Sequence, residues 1–99
     1  MDLFGTNDLD TATAFYRSIP DPTAKAVLDF LIDHPGDTFD GAAIAKHLGL
    51  AQHRDVARAT FALGKAAAAL GRKRPWTEAQ RGYAMPVEQA DQFRRARVA

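Results

Sequence analysis

The chain has 99 residues, no cysteine and a formal net charge of +1 at pH 7, and 46% of its residues are hydrophobic. This length and composition favour one globular domain, and the lack of cysteine excludes disulfide scaffolds, thiolate zinc sites and cysteine nucleophiles. The longest apolar run, Ala66 to Leu70, is too short for a membrane span. Acids in the first ten residues exclude a signal or transit peptide. We therefore expect a soluble cytoplasmic protein with no membrane partner.

The charge is segregated along the chain. Residues 1–40 carry eight acids and two bases, a balance of −6, whereas residues 41–99 carry eleven bases and four acids, a balance of +7. Such asymmetry indicates an electrostatic partner, with nucleic acid as the first candidate. The alternative is that folding brings the two halves together and cancels the field.

Two helices are predicted in the first third of the chain. The first spans about Asn7 to Ile19 and has one apolar stripe, formed by Leu9, Ala12, Tyr16 and Ile19. The second begins with Asp21 as its N-cap and Pro22 at the first helical position. It ends at His34-Pro35-Gly36.

A helix-turn-helix pattern follows. Residues 37–39 form a turn or a brief strand, and Asp40 caps a third helix that ends at Gly49, where a left-handed conformation is favoured. The inward residues of this helix are Ala43, Ile44, Ala45 and Leu48. A long fourth helix runs from about His53 to Leu70, and Gly64 is a candidate break near its middle.

The last quarter of the chain is predicted to form a hairpin and a helix. Residues 74–78 and 83–85 are the two strands, and Gly82 takes a positive φ in the loop between them. We expect Trp76, Tyr83 and Met85 to pack against the helices. The final helix runs from about Val87 to Arg97, with Val87, Ala90 and Phe93 facing inward.

The fourth helix separates cations from apolar residues. Arg54, Arg58, Phe61 and Lys65 lie within about 60° of one another on a helical wheel, and the opposite face carries Val56, Ala59, Thr60, Leu63, Ala67 and Leu70. Guanidinium groups pair with guanine or phosphate, and a phenyl ring contacts a thymine methyl group. This pattern predicts a recognition helix for the major groove, and the alternative is a solvated face of an amphipathic helix.

More bases flank this helix. Arg72, Lys73 and Arg74 follow it directly, and Arg81 lies at the predicted hairpin tip, so all four are candidate phosphate contacts. The alternative for residues 72–74 is that their positive charges stabilise the C-terminus of the fourth helix. The alternative for Arg81 is ordinary solvent exposure. We interpret Arg94, Arg95 and Arg97 as the basic last turn of the final helix.

The order helix, brief strand, helix, turn, helix and hairpin resembles that of winged helix-turn-helix domains from about residue 20 to 86. The resemblance rests on Asp40 to Leu50, Arg54 to Lys65 and Trp76 to Met85. The stretches LIDHPGDTFDGAAIAKHLGL, GKAAAALGRKRPW and FRRAR look like a small actinobacterial winged-helix family with no assigned activity. The implied fold is mainly α with a small hairpin: an N-terminal helix (1–19), a winged-helix core (20–86) and a C-terminal helix (87–99).

The resemblance implies a partner. Winged helices usually bind duplex DNA, which here implies contacts by Arg54, Arg58, Phe61 and Lys65, with Arg81 on the wing. We expect a transcriptional or chromosome-associated regulator, nucleoid-associated if it binds DNA. The alternative is a protein-interaction module that docks a partner of opposite charge.

The N-terminal region carries more apolar surface than one short helix needs, at Leu3, Phe4, Leu9, Phe15 and Tyr16. This excess predicts a homodimer formed through the first helix. The alternative is a helix that only covers the core.

Catalysis, metals and cofactors are not expected. His34, His47 and His53 lack the spacing of metal ligands, and Ser18 is not in a nucleophile elbow. Gly64-Lys65 lies in a long helix rather than in a phosphate loop. The early carboxylates are spread over caps and helix surfaces, so no acid–base pair is indicated.

Overall fold

A computed structural model describes residues 1–79 and 82–99. Over these residues the fold is mainly α with one small antiparallel hairpin, as the sequence predicts. The elements in chain order are α1 (Leu9–Ser18), α2 (Pro22–Asp33), α3 (Gly41–Leu48), α4 (Arg54–Ala69), β1 (Thr77–Ala79), β2 (Gly82–Ala84) and α5 (Val87–Val98).

The ends of α2 and α3 follow from local capping chemistry. The Asp21 carboxylate accepts hydrogen bonds from the N–H groups of Thr23 and Ala24 at 3.4 and 3.2 Å. Asp40 Oδ1 accepts from the Ala43 N–H at 2.7 Å. Gly49 ends α3 with φ +70°, a conformation that costs glycine nothing because it has no Cβ. The predictions for these ends are confirmed.

The start of α1 differs from the prediction, whereas α4 follows it. Helix α1 begins at Leu9 rather than at Asn7, because the Asp8 carboxylate accepts from the Gly5 N–H at 2.8 Å instead of capping the helix. Helix α4 is continuous through Gly64, which confirms the predicted long helix from about His53 to Leu70, and the candidate break does not form. Burial of one face of α4 outweighs the roughly 1 kcal/mol that a mid-helix glycine costs.

The hairpin pairs Thr77 with Ala84, Glu78 with Tyr83 and Ala79 with Gly82. Its strands are shorter than predicted at their outer ends. The turn or brief strand expected at residues 37–39 is a single antiparallel bridge between Phe39 and Tyr83. The Phe39 N–H donates to the Tyr83 carbonyl at 3.0 Å, and the Tyr83 N–H donates to the Phe39 carbonyl at 2.8 Å.

Gly82 lies in β2 rather than in the loop. A Cβ at this position would lie 2.5 Å from the Phe39 carbonyl oxygen, so the backbone contact requires glycine. The structural reason for Gly82 is therefore a close approach between two chain segments. Of the rest of the predicted loop, Ala79 lies in β1, and Gln80 and Arg81 lie outside the described residues.

The core contains two helix pairs, α1 on α5 and α2 on α4. Between α1 and α5 three phenyl rings meet, with centroids 5.0 Å apart for Phe4 and Phe93, 5.2 Å for Phe4 and Phe15, and 5.6 Å for Phe15 and Phe93. Two buried amides hold the N-terminal segment in place, since Gln89 and Gln92 donate to the carbonyls of Phe4 and Gly5 at 2.6 and 2.7 Å. Phe4 is thus part of the core, whereas the residues on either side of it are exposed.

Most of the predicted inward residues are buried, and a few are not. Trp76 and Met85 are buried and Tyr83 is half-buried, as expected. Four residues predicted to face inward are exposed, because they lie at the margins of their helices: Leu9, Ala43, Leu70 and Val87.

The apolar surplus that favoured a dimer is smaller than the sequence indicates. Phe4 and Phe15 are buried inside the chain, and Tyr16 is half-buried. Among the five apolar residues of the N-terminal region, Leu3 and Leu9 alone are exposed. Dimerisation through α1 stays a prediction, and less exposed apolar surface supports it than the sequence indicates. Among the described residues no helix has the length and hydropathy needed to cross a membrane.

Candidate nucleic-acid interface and the adjoining groove

One face of α4 carries the predicted recognition residues. Arg54, Arg58, Phe61 and Lys65 are all exposed, and the Phe61 side chain is 69% accessible. The Lys65 Nζ lies 5.6 Å from the centroid of the Phe61 ring, within cation–π range. None of the three cations forms an ion pair with a described residue.

The one acid of α4 takes part in the turn before the helix. Asp55, the sole acid of α4, accepts a hydrogen bond from the Gln52 N–H at 3.2 Å and so secures the turn. Val56, Ala59, Thr60, Leu63 and Ala67 are buried on the other side of the helix. The exposed face therefore carries Arg54, Arg58 and Lys65 around one aromatic ring, with Asp55 beside Arg54 in the first turn.

The basic run after α4 divides into paired and unpaired side chains. Arg72 forms two hydrogen bonds to Asp8, and Arg74 forms an ion pair with Glu78. Lys73 is exposed and forms no ion pair within the described part of the chain. The hydrogen bonds from Arg72 and from the Gly5 N–H hold the pKa of Asp8 below its usual value. Arg81, the predicted wing contact, lies outside the described residues.

Two arginines of α5, Arg94 and Arg97, pair with acids, whereas Arg95 is exposed and forms no ion pair with a described residue. Arg97 contacts Asp29 at 3.3 Å and Asp33 at 2.9 Å, and Arg94 contacts Asp91 at 3.1 Å. Arg97 thus joins the basic end of α5 to the acidic side of α2. Together with the Arg72–Asp8 pair, this contact cancels part of the charge segregation, whereas the α4 face keeps its charge.

A groove of about 600 Å³ adjoins the α4 face. Three parts of the chain line it: the N-terminal segment, α4 and residues 72–77. Sequence reasoning missed this groove, since its walls are distant along the chain. A local signal exists, because small residues at Gly64 and Ala68 follow Phe61 at the i+3 and i+7 positions and leave a depression beside the ring. The lining residues are Met1, Leu3, Thr60, Phe61, Gly64, Lys65, Ala68, Arg72, Lys73, Arg74, Trp76 and Thr77.

Comparison with protein families gives one match. The model of a family of unknown function, DUF6416, matches residues 9–99, so the chain belongs to that family. The match includes all five helices and the hairpin, and it leaves out the segment that forms one wall of the groove. No curated protein and no solved structure matches the chain.

Proposed function

We propose that this member of the DUF6416 family is a winged helix-turn-helix protein that binds duplex DNA and acts as a transcriptional or chromosome-associated regulator. The observation that carries the proposal is the uncompensated charge of the α4 face. Arg54, Arg58 and Lys65 have no carboxylate partner in the part of the chain that the structure describes, whereas four other arginines do. A helix face that keeps its cations after folding suits a polyanion.

The arrangement of elements supports the winged-helix part of the proposal. Helix α3, the connection 49–53 and helix α4 follow one another in the order of a helix-turn-helix, which supports the proposal. The single bridge between Phe39 and Tyr83 ties the segment that precedes α3 to β2 of the hairpin. The hairpin is thereby held beside the helix-turn-helix, where a wing would lie.

The side chains of α4 match the chemistry of a major groove. Arg54 and Arg58 lie in the first two turns of the helix, and each guanidinium can pair with guanine or with phosphate. Phe61 would contact a thymine methyl group. Lys65, Lys73 and, from the sequence alone, Arg81 would contact phosphates at the flanks. Arg72 and Arg74 would contribute less, because Asp8 and Glu78 already neutralise them.

A salt titration tests the proposal. Binding to a mixed-sequence duplex is measured by fluorescence anisotropy across a range of ionic strength. About five phosphate contacts predict that the logarithm of the affinity falls with the logarithm of salt with a slope of about −4 to −5. A protein that shows no salt-sensitive binding at low ionic strength contradicts the proposal, and the docking of a charged protein partner then replaces it.

Paired variants assign the binding to α4. The double variant Arg58→Ala, Lys65→Ala removes two cations and is expected to weaken binding at least several-fold and to reduce the salt slope by about 2. Arg95→Ala, an exposed position on α5, is the matched control and keeps the wild-type affinity. If the double variant and the wild type bound DNA with equal affinity, the α4 face would be ruled out as the DNA-binding surface.

A further inference from the structure

The groove beside α4 has the size of a small-molecule site. Its volume of about 600 Å³ lies within the range of roughly 300–1,000 Å³ that ligand sites occupy. A stable protein interface needs about 800 Å² on each partner, far more surface than this groove offers. Its size therefore favours a small ligand over a docked protein.

The walls of the groove are apolar. The small residues Gly64 and Ala68 form the α4 side of the depression, with Phe61 beside them. Leu3 and Met1 line it from the N-terminal segment and are 49% and 71% exposed. The groove thus holds three large apolar side chains in contact with water, and such clustering marks a binding surface.

The charges around the groove select an anion. Lys65 and Lys73 line it and form no ion pair among residues 1–79 and 82–99, and no described lining residue is acidic. The other two cations, Arg72 and Arg74, are already paired. A second copy of the chain would bring the same lysines together, and DNA has no apolar body to fill the depression.

One polar group in the groove wall has no partner. The indole Nε1 of Trp76 is buried and has no hydrogen-bond acceptor in the described part of the chain. Buried donors are rarely left without an acceptor in folded proteins. The nitrogen itself is enclosed by the protein, so it offers no contact to a ligand in the groove.

We propose that the groove binds a small amphipathic anion, with a hydrocarbon body against Phe61, Leu3 and Trp76 and a carboxylate held by Lys65 and Lys73. Phe61 and Lys65 belong both to the groove and to the proposed DNA face. Ligand and DNA are therefore expected to compete, and this competition alone rests on the proposed function.

Trp76 provides a direct readout because it is the only tryptophan of the chain. Dodecanoate, kept below its critical micelle concentration, is titrated into the full-length protein without DNA while Trp76 emission is followed. Dodecanol and dodecyltrimethylammonium serve as neutral and cationic probes with the same chain length. The expected result is a saturable change in Trp76 emission with dodecanoate. Dodecanol and dodecyltrimethylammonium are expected to bind at least about ten-fold more weakly. Equal binding of all three probes, or no saturable change with dodecanoate, overturns the proposal.

Two variants separate charge from shape. Lys65→Gln, Lys73→Gln is expected to weaken dodecanoate binding about ten-fold and to leave dodecanol binding unchanged. Ala68→Phe, at an exposed position of α4, fills the depression and is expected to abolish binding of every probe. Circular dichroism checks that each variant is folded, and Arg95→Gln is the control. Unchanged dodecanoate binding in both variants places the ligand elsewhere and overturns the proposal.

The DNA measurement is a separate arm. With the wild type bound to labelled duplex, dodecanoate is expected to release DNA, and the midpoint of release should rise as the duplex concentration is raised. If the protein does not bind DNA at all, the proposed function fails while the fluorescence result stands. If DNA and dodecanoate bind together without competition, the shared use of Phe61 and Lys65 is wrong.

Discussion

Arg72 and Asp8 lie 64 residues apart in the sequence and form a two-point ion pair, with Nε to Oδ2 and Nη2 to Oδ1 both at 3.0 Å. The pair joins the segment after α4 to the residue before α1. The Lys73 N–H reinforces the contact by donating to the Asp2 carbonyl at 2.7 Å. A residue that the sequence offered as a phosphate contact therefore holds two distant parts of the chain together.

Asp8→Asn is expected to lower the melting temperature at neutral pH. The pKa of Asp8 in the folded state is below its ordinary value of 3.8. The Asp8 carboxylate therefore contributes its full stabilisation above pH 3.8, and this stabilisation is lost as the pH falls through the pKa of the folded state. Thermal melts at pH 7 and in acid measure this, and the gap between variant and wild type should shrink in acid. A gap that is independent of pH would show that the Asp8 charge contributes nothing.

Arg58→Ala and Arg72→Ala are expected to act on different properties. Arg58 is exposed and unpaired among the described residues, so its loss should weaken DNA binding several-fold and change stability by no more than about 0.5 kcal/mol. Arg72→Ala breaks the pair with Asp8 and should lower the melting temperature, with a smaller effect on DNA binding. Anisotropy and thermal melts on both variants test the contrast, which a reversed order of effects would refute.

Tyr16→Phe removes a hydrogen bond from the Tyr16 hydroxyl to Asp29 Oδ1, which is 2.9 Å long. We expect a loss of about 1–2 kcal/mol in the free energy of unfolding at neutral pH, because the acceptor is charged. Urea unfolding of the variant and the wild type measures this loss. Unchanged stability would mean that water replaces the bond at no cost.

The same tyrosine should make stability depend on alkaline pH. Burial, with the hydrogen bond to Asp29, raises the pKa of Tyr16 to about 12 from an ordinary value of 10.0. Its contribution is present below pH 10.0 and is lost as the pH rises toward about 12. The stability advantage of the wild type over Tyr16→Phe should therefore decrease across this range, and a constant advantage would contradict the shift.

Gly82→Ala is expected to destabilise the fold by about 1–3 kcal/mol, since the added Cβ meets rigid backbone. It would lie 2.5 Å from the Phe39 oxygen and 2.7 Å from the Phe39 carbonyl carbon. Urea unfolding measures the loss. A variant as stable as the wild type would show that the Phe39–Tyr83 bridge opens without cost.

Gly64→Ala is the matched substitution with the opposite expectation. Here the added Cβ would meet only the Arg74 side chain, at 3.2 Å from Cδ and 3.3 Å from Cγ. That side chain is more than half exposed and can move. We expect stability to be unchanged or to rise by up to about 1 kcal/mol from the gain in helix propensity. A loss similar to that of Gly82→Ala would show that Arg74 is held firmly against α4.

The features that sequence reasoning predicted correctly are local. Asp21, Asp40 and Gly49 determine helix ends through contacts within four residues, and the apolar face of α4 follows from its periodicity. The same periodicity predicts that Arg58 and Lys65, on the opposite face of α4, are exposed. Each of these features depends on near neighbours, which the sequence displays directly.

The features that were missed depend on tertiary contacts. The sequence pattern predicts a surface position for Phe4, because nothing near it in the chain indicates that Gln89 and Phe93 enclose it. The pattern predicts a turn at Gly82, whereas the backbone of Phe39 is what requires the glycine. Both partners lie more than forty residues away, and no residue pattern in one chain specifies such a pairing.

The position of Met1 in the groove wall has a practical consequence. Residues attached before Met1, such as an affinity tag, would emerge beside Phe61 and Lys65. A charged or flexible tag there would compete for the surface that binding experiments are meant to probe, and a polyhistidine tag would add cations of its own. Assays of the α4 face therefore call for a protein from which any N-terminal tag has been cleaved.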